Sequence, residues 1–318
     1  MSAAARIGAF TALLAVVLAA AAFAGSRISP DVTEGGSHEG STGEEFLDSH
    51  GVETKQADTP ARGGHEDETT ASSSLPGLAV AQDGYRLVTN ERTLAAEKSQ
   101  SLDFRIQNDD GSTVSDFDVE NDRRMHLIVV RRDFQGFQHL HPKQRDDGSW
   151  SVEVSELEPG VYRAFANFST EGRSLTLATD LFVPGRFDPV PLASIEDNAD
   201  AGEDYEVMIE SPPVAGGQTV PTEFEVTLNG RTIDAVEPYL GADGHLVALR
   251  EGDQAFLHTH PEGEPGGPGP IRFQVTYPTA GRYRLFLQFK HAGEVRTAAF
   301  TRDADQPGDD HVGGEQHD

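Results

Sequence analysis

Apolar and polar residues alternate along most of the chain between residues 77 and 302, as in strands that bury one face. Clear examples are residues 102–107 (LDFRIQ) and residues 224–228 (FEVTL). Gly, Asn, Asp and Pro interrupt the pattern about every ten residues, which is typical of turns. Because short strands at this spacing are typical of antiparallel sandwiches, the pattern predicts an all-β fold.

The strand-rich region contains two copies of one sequence, offset by about 120 residues. The first copy includes the stretch MHLIVVRRDFQGFQHLHP, and the second includes the matching stretch GHLVALREGDQAFLHTHP. Farther on, EPGVYRAFANF in the first copy aligns with TAGRYRLFLQF in the second. We therefore predict two tandem immunoglobulin-like antiparallel β-sandwiches, over residues 77–183 and 203–302, joined by a linker over residues 184–202.

The two ends of the chain have a different composition. Residues 7–23 are almost wholly apolar and end in the small-x-small site Ala22-Phe23-Ala24, so residues 1–24 predict a signal peptide or membrane anchor. Residues 25–76 and 303–318 are rich in small and acidic residues, which predicts a disordered acidic tether and tail. We expect the protein outside the cytoplasm, secreted or anchored to the outer face of the cytoplasmic membrane.

Charge and cysteine content narrow the chemistry. With 53 acidic and 25 basic residues the formal net charge is -28, which disfavours nucleic acid as a partner and favours cations. The absence of cysteine excludes thiolate metal sites and cysteine nucleophiles. No phosphate-binding loop, G-x-S-x-G or H-E-x-x-H motif is present, so no catalytic residue is assigned.

Each copy carries three histidines at the same spacing. The predicted metal ligands are His126, His139 and His141 in the first copy and His245, His258 and His260 in the second. In a hairpin turning near residues 133–134, His126 lies opposite His141, and His139 shares their face because side chains alternate along a strand. The same argument places His245 opposite His260 around residues 252–253.

Three imidazoles within reach of one point suit Cu(II) or Zn(II). We therefore predict one three-histidine metal site per domain in a non-enzymatic metal-binding protein. Copper, as Cu(II), is the favoured cofactor because it tops the divalent affinity order, and zinc is the alternative. A metal ion is the predicted partner and a membrane metal transporter a candidate protein partner, with membrane association only through an uncleaved leader. Since unperturbed histidine has a pKa of about 6.5, the affinity for the metal is predicted to fall below that pH.

Two other interpretations stay open. The first is a copper redox enzyme with one metal per sandwich. The second is a structural or interaction module at the cell surface, in which the histidines only stabilise the hairpins. Met125 could add a thioether ligand, but as the strand neighbour of His126 it points to the opposite face and is expected in the core. Tyr162, Tyr283, Trp150 and Ile271 are also expected to be core residues.

The stretches MHLIVVRRDFQGFQHLHP, DGSW, EPGVYRAFANF and GADGHLVALREGDQAFLHTHP resemble a family of exported actinobacterial tandem-domain proteins described as secreted, membrane or heavy-metal-binding. The resemblance covers roughly residues 77–302. More loosely, the chain is similar in design to CopC-type copper-handling sandwiches and, in layout, to two-domain copper monooxygenases. CopC-type proteins use an N-terminal histidine as a ligand, whereas the predicted mature N-terminus here is Gly25, so that ligand does not transfer.

Overall fold

The computed structural model describes residues 75–257 and 259–307. Every regular element within these residues is a β-strand. The predicted leader, nearly all of the tether and most of the tail lie outside the described residues. A search of the described residues finds no helix that could cross a membrane.

Eighteen strands are formed by the described residues and divide between two sandwiches. The first contains β1 (Ala81–Gln82), β2 (Tyr85–Thr89), β3 (Gln100–Asn108), β4 (His126–Arg131), β5 (Gln138–Leu140), β6 (Lys143–Gln144), β7 (Trp150–Val154), β8 (Gly160–Thr170) and β9 (Arg173–Val183). The second contains β10 (Asn198–Asp200), β11 (Tyr205–Glu210), β12 (Gln218–Leu228), β13 (Arg231–Thr232), β14 (Gly244–Arg250), β15 (Thr259–Glu262), β16 (Ile271–Tyr277), β17 (Gly281–His291) and β18 (Glu294–Ala304).

Two sheets make up each sandwich. In the first, the orders are β1-β2-β3-β7-β6 and β5-β4-β8-β9. In the second, they are β10-β11-β12-β16-β15, with β13 paired to β12, and β14-β17-β18. All pairings between these strands are antiparallel. The prediction of two tandem immunoglobulin-like sandwiches is confirmed, and β10 lies within the stretch predicted as linker.

Each sandwich has its own apolar core between its two sheets. The four residues predicted as core, Tyr162, Tyr283, Trp150 and Ile271, are all at most 3% exposed, and Met125 is buried with them. The hydroxyls of Tyr162 and Tyr283 make equivalent hydrogen bonds, since each donates to the carbonyl oxygen four residues upstream. Burying these rings therefore leaves no phenol without a hydrogen-bond acceptor.

A third apolar cluster joins the two sandwiches, which belong to one compact unit. Strands β4 and β14 are apolar without alternation because both of their faces are covered. On β4, Leu127 and Val129 fill the core of the first sandwich, while Ile128 and Val130 face the second. The sheet containing β4 and the sheet containing β14 therefore meet face to face.

Contacts across this interface occur in matched pairs. The ring of Phe137 stacks on that of Phe286 with centroids 4.1 Å apart, and Phe256 packs against Phe165 at 5.7 Å. Phe137 and Phe256 are equivalent in the repeat, as are Phe165 and Phe286. The fully buried amide of Gln254 also donates to the carbonyl oxygen of Arg131 at 3.0 Å. The interface combines aromatic burial with a buried hydrogen bond from the Gln254 amide nitrogen, while the Gln254 Oε1 has no partner among the described residues.

Candidate metal centre

Three histidines of the first repeat lie on the face of β4 and β5 that meets the second repeat. His126 begins β4 and His139 lies on β5, with Leu127 opposite Leu140 and Ile128 opposite His139. One step farther along the same register, His126 lies opposite His141. Because side chains alternate, His126 shares a face with Ile128, which packs against the second repeat. The first hairpin thus has the register predicted from its sequence.

The ring nitrogens of these three residues converge. One nitrogen each from His126, His139 and His141 lies within 4.8 Å of the other two. His126 Nδ1 and His139 Nε2 are 3.0 Å apart. The His141 ring meets the other two edge-on, with its centroid 5.3 Å from that of His126 and 4.8 Å from that of His139. This three-histidine group could hold a metal ion.

Hydrogen-bond partners assign the tautomers of two of the rings, with the Gln288 amide oriented so that Oε1 faces His139. His139 Nδ1 is 2.7 Å from Gln288 Oε1, an atom that can only accept, so Nδ1 carries the proton. The Gln288 amide is oriented by its own Nε2, which donates to Thr297 Oγ1 at 3.2 Å. His126 Nε2 is 3.3 Å from the carbonyl oxygen of Glu120, so this nitrogen is the protonated one in His126. Both neutral rings therefore direct unprotonated nitrogens at each other across 3.0 Å.

Two facing lone pairs repel each other unless a cation lies between them. The Nε2 of His141 is buried beside this pair and has no hydrogen-bond partner among the described residues. A buried polar atom without a partner costs about 1–3 kcal/mol, so the arrangement is unfavourable for the protein alone. A single bound cation would satisfy all three nitrogens, and the donor set fits a transition metal.

Burial keeps these rings neutral. Desolvation lowers the pKa of His126, and it lowers that of His139 well below the usual value, with the neighbouring imidazoles of His245 and His126 adding to the shift. Burial also lowers the pKa of His141 to about 4 and that of His245 to about 3. Because burial makes protonation harder, proton competition for these ligands in the folded protein is expected at a lower pH than the value of about 6.5 for unperturbed histidine.

Metal geometry requires a small adjustment. A tetrahedral ion with metal–nitrogen bonds of about 2.0–2.1 Å spaces its nitrogens roughly 3.3–3.4 Å apart. The pair formed by His126 and His139, at 3.0 Å, is already close to this spacing, whereas the widest separation in the group is 4.8 Å. Rotation of the His141 ring is the simplest way to bring all three nitrogens to the spacing that a metal ion requires, since its Nε2 is not held by a hydrogen bond.

The second hairpin begins in the predicted register. Leu249 lies opposite Phe256, and Leu257 N–H donates to the carbonyl oxygen of Ala248. β15 then pairs with β16 of the other sheet, where His260 lies opposite Gln274. The placement of His245 opposite His260 stays a prediction. His258 lies outside the described residues, and a second three-histidine site stays a prediction.

His245 packs against the histidines of the first repeat. Its ring centroid is 4.5 Å from that of His139 and 5.4 Å from that of His126, with the rings close to parallel. The β14–β17 register places Gln288, the partner of His139, opposite His245. Both residues of the second repeat thus belong to the surroundings of the first-repeat cluster.

A cleft of about 460 Å³ lies between the repeats and is lined by residues that surround this cluster. Its lining includes Glu120, Asn167 and Thr176 from the first repeat, and His245 and His260 from the second. Glu120 also accepts the hydrogen bond from His126, and Asn167 lies opposite His126 in the β4–β8 register. The cleft therefore connects the outside of the protein with the residues around the histidines.

Sequence reasoning missed the residues that orient the ligands. Glu120 acts through its backbone carbonyl, which leaves no trace in the sequence. Gln288 is separated from His139 by 149 positions. A usable signal did exist, because the unbroken apolar runs HLIVVR and HLVALR indicate strands covered on both faces. Those runs predict that the histidine face meets another part of the protein.

Comparison with known proteins shows matches at the level of family and fold. A family model described as a domain of unknown function, DUF8832, matches residues 79–185 and again residues 199–306. The two matched ranges correspond to the two sandwiches, so the internal repeat is confirmed. The description names neither metal binding nor a CopC-type protein, so the heavy-metal part of the resemblance receives no support from it. No curated protein matches the sequence.

Solved structures that resemble the chain do so weakly. The Lin-41 filamin domain is 12% identical with a TM-score of 0.24, covering 35% of this chain and 98% of that one. FdeC, an Escherichia coli adhesin, is 12% identical with a TM-score of 0.24, covering 70% of this chain and 65% of that one. The titin fragment A168169 is 10% identical with a TM-score of 0.20, covering 70% of this chain and 98% of that one. These similarities carry no functional argument.

Proposed function

Because this chain belongs to the DUF8832 family of domains of unknown function, its role has to be inferred from the site, and we propose that it binds a transition-metal ion through His126, His139 and His141. The observation that supports this most is the 3.0 Å approach of two nitrogens whose opposite sides are bonded to acceptors. A hairpin stabilised only by histidine hydrogen bonds would place a donor against an acceptor at this point. Two acceptors facing each other favour a bound cation.

Copper is the proposed metal, with zinc as its competitor. All three ligands are imidazoles, no cysteine is present, and Cu(II) binds such sites more tightly than the other divalent first-row ions. The lowered pKa values support this, because the ligands are already deprotonated at neutral pH. We also propose an extracytoplasmic location, supported by the apolar run and small-x-small site in residues 1–24.

Metal titration of the full-length chain tests the proposal. The protein is stripped with a chelator and titrated with CuSO₄ or ZnSO₄ in a calorimeter, with glycine as a competing ligand. We expect tight binding, tighter for copper, that is lost in the His139→Ala, His141→Ala double variant. The matched control is His311→Ala with His317→Ala, which removes two tail histidines and should leave tight binding intact. Equal binding by both double variants would refute the proposal.

A redox enzyme is the second candidate function, because the cleft beside His245 offers room for a small molecule next to the metal. Copper-loaded protein that consumes dioxygen in the presence of a reductant, and loses this activity with His139→Ala and His141→Ala, would favour the enzyme. Tight copper binding without such turnover would favour a carrier or store. Absence of tight metal binding would leave a structural module as the remaining interpretation.

A further inference from the structure

The sheet of the second repeat brings two polar side chains to the histidine cluster of the first. His245 and Gln288 lie opposite each other on β14 and β17, on the face that also carries Val247 and Phe286. That face packs against Ile128, which shares its face with His126. The candidate site is therefore enclosed by both repeats rather than contained in one.

Ring positions around the cluster suggest four ligands rather than three. The separations of the ring centroids are 5.3 Å for His126–His139, 5.3 Å for His126–His141, 4.8 Å for His139–His141, 5.4 Å for His126–His245 and 4.5 Å for His139–His245. Four imidazoles bound tetrahedrally at about 2.0–2.1 Å would hold their ring centroids roughly 5 Å apart. His245 is thus as near to the rings of His126 and His139 as a fourth ligand would be.

The orientation of His245 differs from that of the other three. Its ring stacks on His126 and His139, with interplanar angles of 7° and 29°, and its nitrogens do not belong to the converging group. To act as a ligand, His245 has to turn its ring out of this stack so that one nitrogen faces the ion. Gln288 is already engaged, since it holds the His139 tautomer from the second repeat.

We propose that one metal ion is shared by the two repeats, with His245 as its fourth ligand and Gln288 as the residue that positions His139. This inference rests on the proposed function, and it replaces one site per repeat by one site per chain. A four-imidazole site is coordinatively closed, as structural metal sites are. Metal binding then favours the docked arrangement of the sandwiches, because only that arrangement offers all four nitrogens.

The test compares His245→Phe with His291→Phe in the full-length chain. Phenylalanine keeps a ring in the stack and removes the nitrogens, so the variant retains the packing. His291 is the matched control, because it is a half-buried histidine of the same repeat that bonds to Tyr205 instead of the cluster. Cu(II) affinity is measured by competition titration, and the bound imidazoles are counted by pulsed electron paramagnetic resonance and X-ray absorption.

We expect one tight copper ion per wild-type chain with four imidazole ligands, and the same for His291→Phe. His245→Phe should bind at least tenfold more weakly and show three imidazoles. If wild-type protein binds no copper tightly, the proposed function fails. If it binds two ions, or if His245→Phe keeps the wild-type affinity and imidazole count, the shared site is wrong while metal binding stands.

Hydrogen exchange gives a second measurement that does not depend on affinity. A shared ion should slow amide exchange in β14 of the second repeat as well as in β4 of the first. In His245→Phe, with copper saturating, the added protection should remain in β4 and disappear from β14. Protection confined to β4 in the wild-type protein would contradict the proposal, even if the affinity of the variant were reduced by some indirect effect.

Discussion

The two repeats share the sequence pattern His-x-His-Pro but pair it with different strands. In the first repeat, the strand carrying the pattern pairs with β4, so His139 and His141 lie beside His126. In the second, β15 pairs with β16 of the opposite sheet, where His260 lies opposite Gln274. Equal spacing of three histidines therefore does not by itself give the two repeats the same strand pairing.

One side chain links β15 to β14 while the β15 backbone pairs with the opposite sheet. Thr259 is the counterpart of Leu140, and its hydroxyl donates to the carbonyl oxygen of Leu246 at 2.9 Å. The hydroxyl thereby occupies an acceptor on β14 while the Thr259 backbone pairs with Val275 on β16. Leu140 has no such group and stays in register with Leu127 on β4. The interface contacts, in contrast, are equivalent in both repeats.

The largest expected effect concerns those equivalent contacts. Phe165→Ala and Phe286→Ala should each destabilise the protein by about 3–5 kcal/mol, because each removes a buried ring from the apolar cluster between the sandwiches. Urea unfolding measures the loss, and Phe182→Ala, at an exposed position, is the control with an expected loss below about 1 kcal/mol. A large cost for only one of the two buried rings would show that the interface is not symmetric.

Removing histidine pairs tests the difference between the repeats directly. His139→Ala with His141→Ala should weaken copper binding by on the order of 100-fold or more, because two converging ligands are lost. His258→Ala with His260→Ala should change it less than about threefold, since His260 lies in the other sheet. Competition titration measures both. Similar losses of copper affinity from the two double variants would support one metal site per repeat.

Acid should destabilise the metal-free protein through the histidine cluster. The folded pKa values of His126, His139, His141 and His245 are lowered by burial, so below about pH 6.5 the unfolded chain takes up protons that the folded chain does not. The free energy of unfolding should therefore fall as the pH drops from about 6.5, and the contribution of His141 should be fully lost below its folded pKa of about 4.

Urea titrations between pH 7 and 5 isolate this effect, because most carboxylates stay ionised over that range. His141→Gln should reduce the slope of stability against pH, since glutamine does not titrate. A slope that is zero in the wild-type protein, or unchanged in the variant, would contradict the assignment of neutral buried rings.

Gln288→Leu should weaken copper binding by roughly tenfold, the usual effect of removing a group that orients a ligand. The counterpart of Gln288 in the first repeat is Asn167, which bonds to Thr176 within its own repeat. Asn167→Leu is therefore the matched variant and should leave affinity nearly unchanged. The same competition titration compares the two variants. Equal losses of copper affinity would contradict the role of Gln288 in orienting His139.

The smallest expected effect concerns the hydroxyl of Thr259. Thr259→Val should cost about 1 kcal/mol of stability, because the Leu246 carbonyl loses its partner while the shape of the side chain is kept. Thr227→Val, whose hydroxyl makes a longer and exposed hydrogen bond, should cost less than about 0.5 kcal/mol. Urea unfolding at pH 7 compares the two, and equal costs would show that the hydrogen bond between Thr259 and Leu246 adds no stability.

How far the sequence predicts this structure depends on the range of the interactions involved. Alternation and turn residues predict the sandwiches because they reflect local burial, and the first hairpin is local enough for its register to follow from spacing. The pairing of β15 with β16 joins residues outside the hairpin, which the spacing of the histidines does not reveal. Gln288 and His245 reach the cluster only through packing of one repeat on the other.

The crossed packing of Phe137 on Phe286 and of Phe256 on Phe165 has the form of an isologous dimer contact, in which the same two surfaces meet twice. Here both copies of the surface belong to one polypeptide, so each can carry different residues around the shared rings. Gln288 bonds to His139 of the other repeat, whereas its counterpart Asn167 bonds to Thr176 of its own. An exact two-fold dimer, in which equivalent residues must be identical, could not hold this asymmetry.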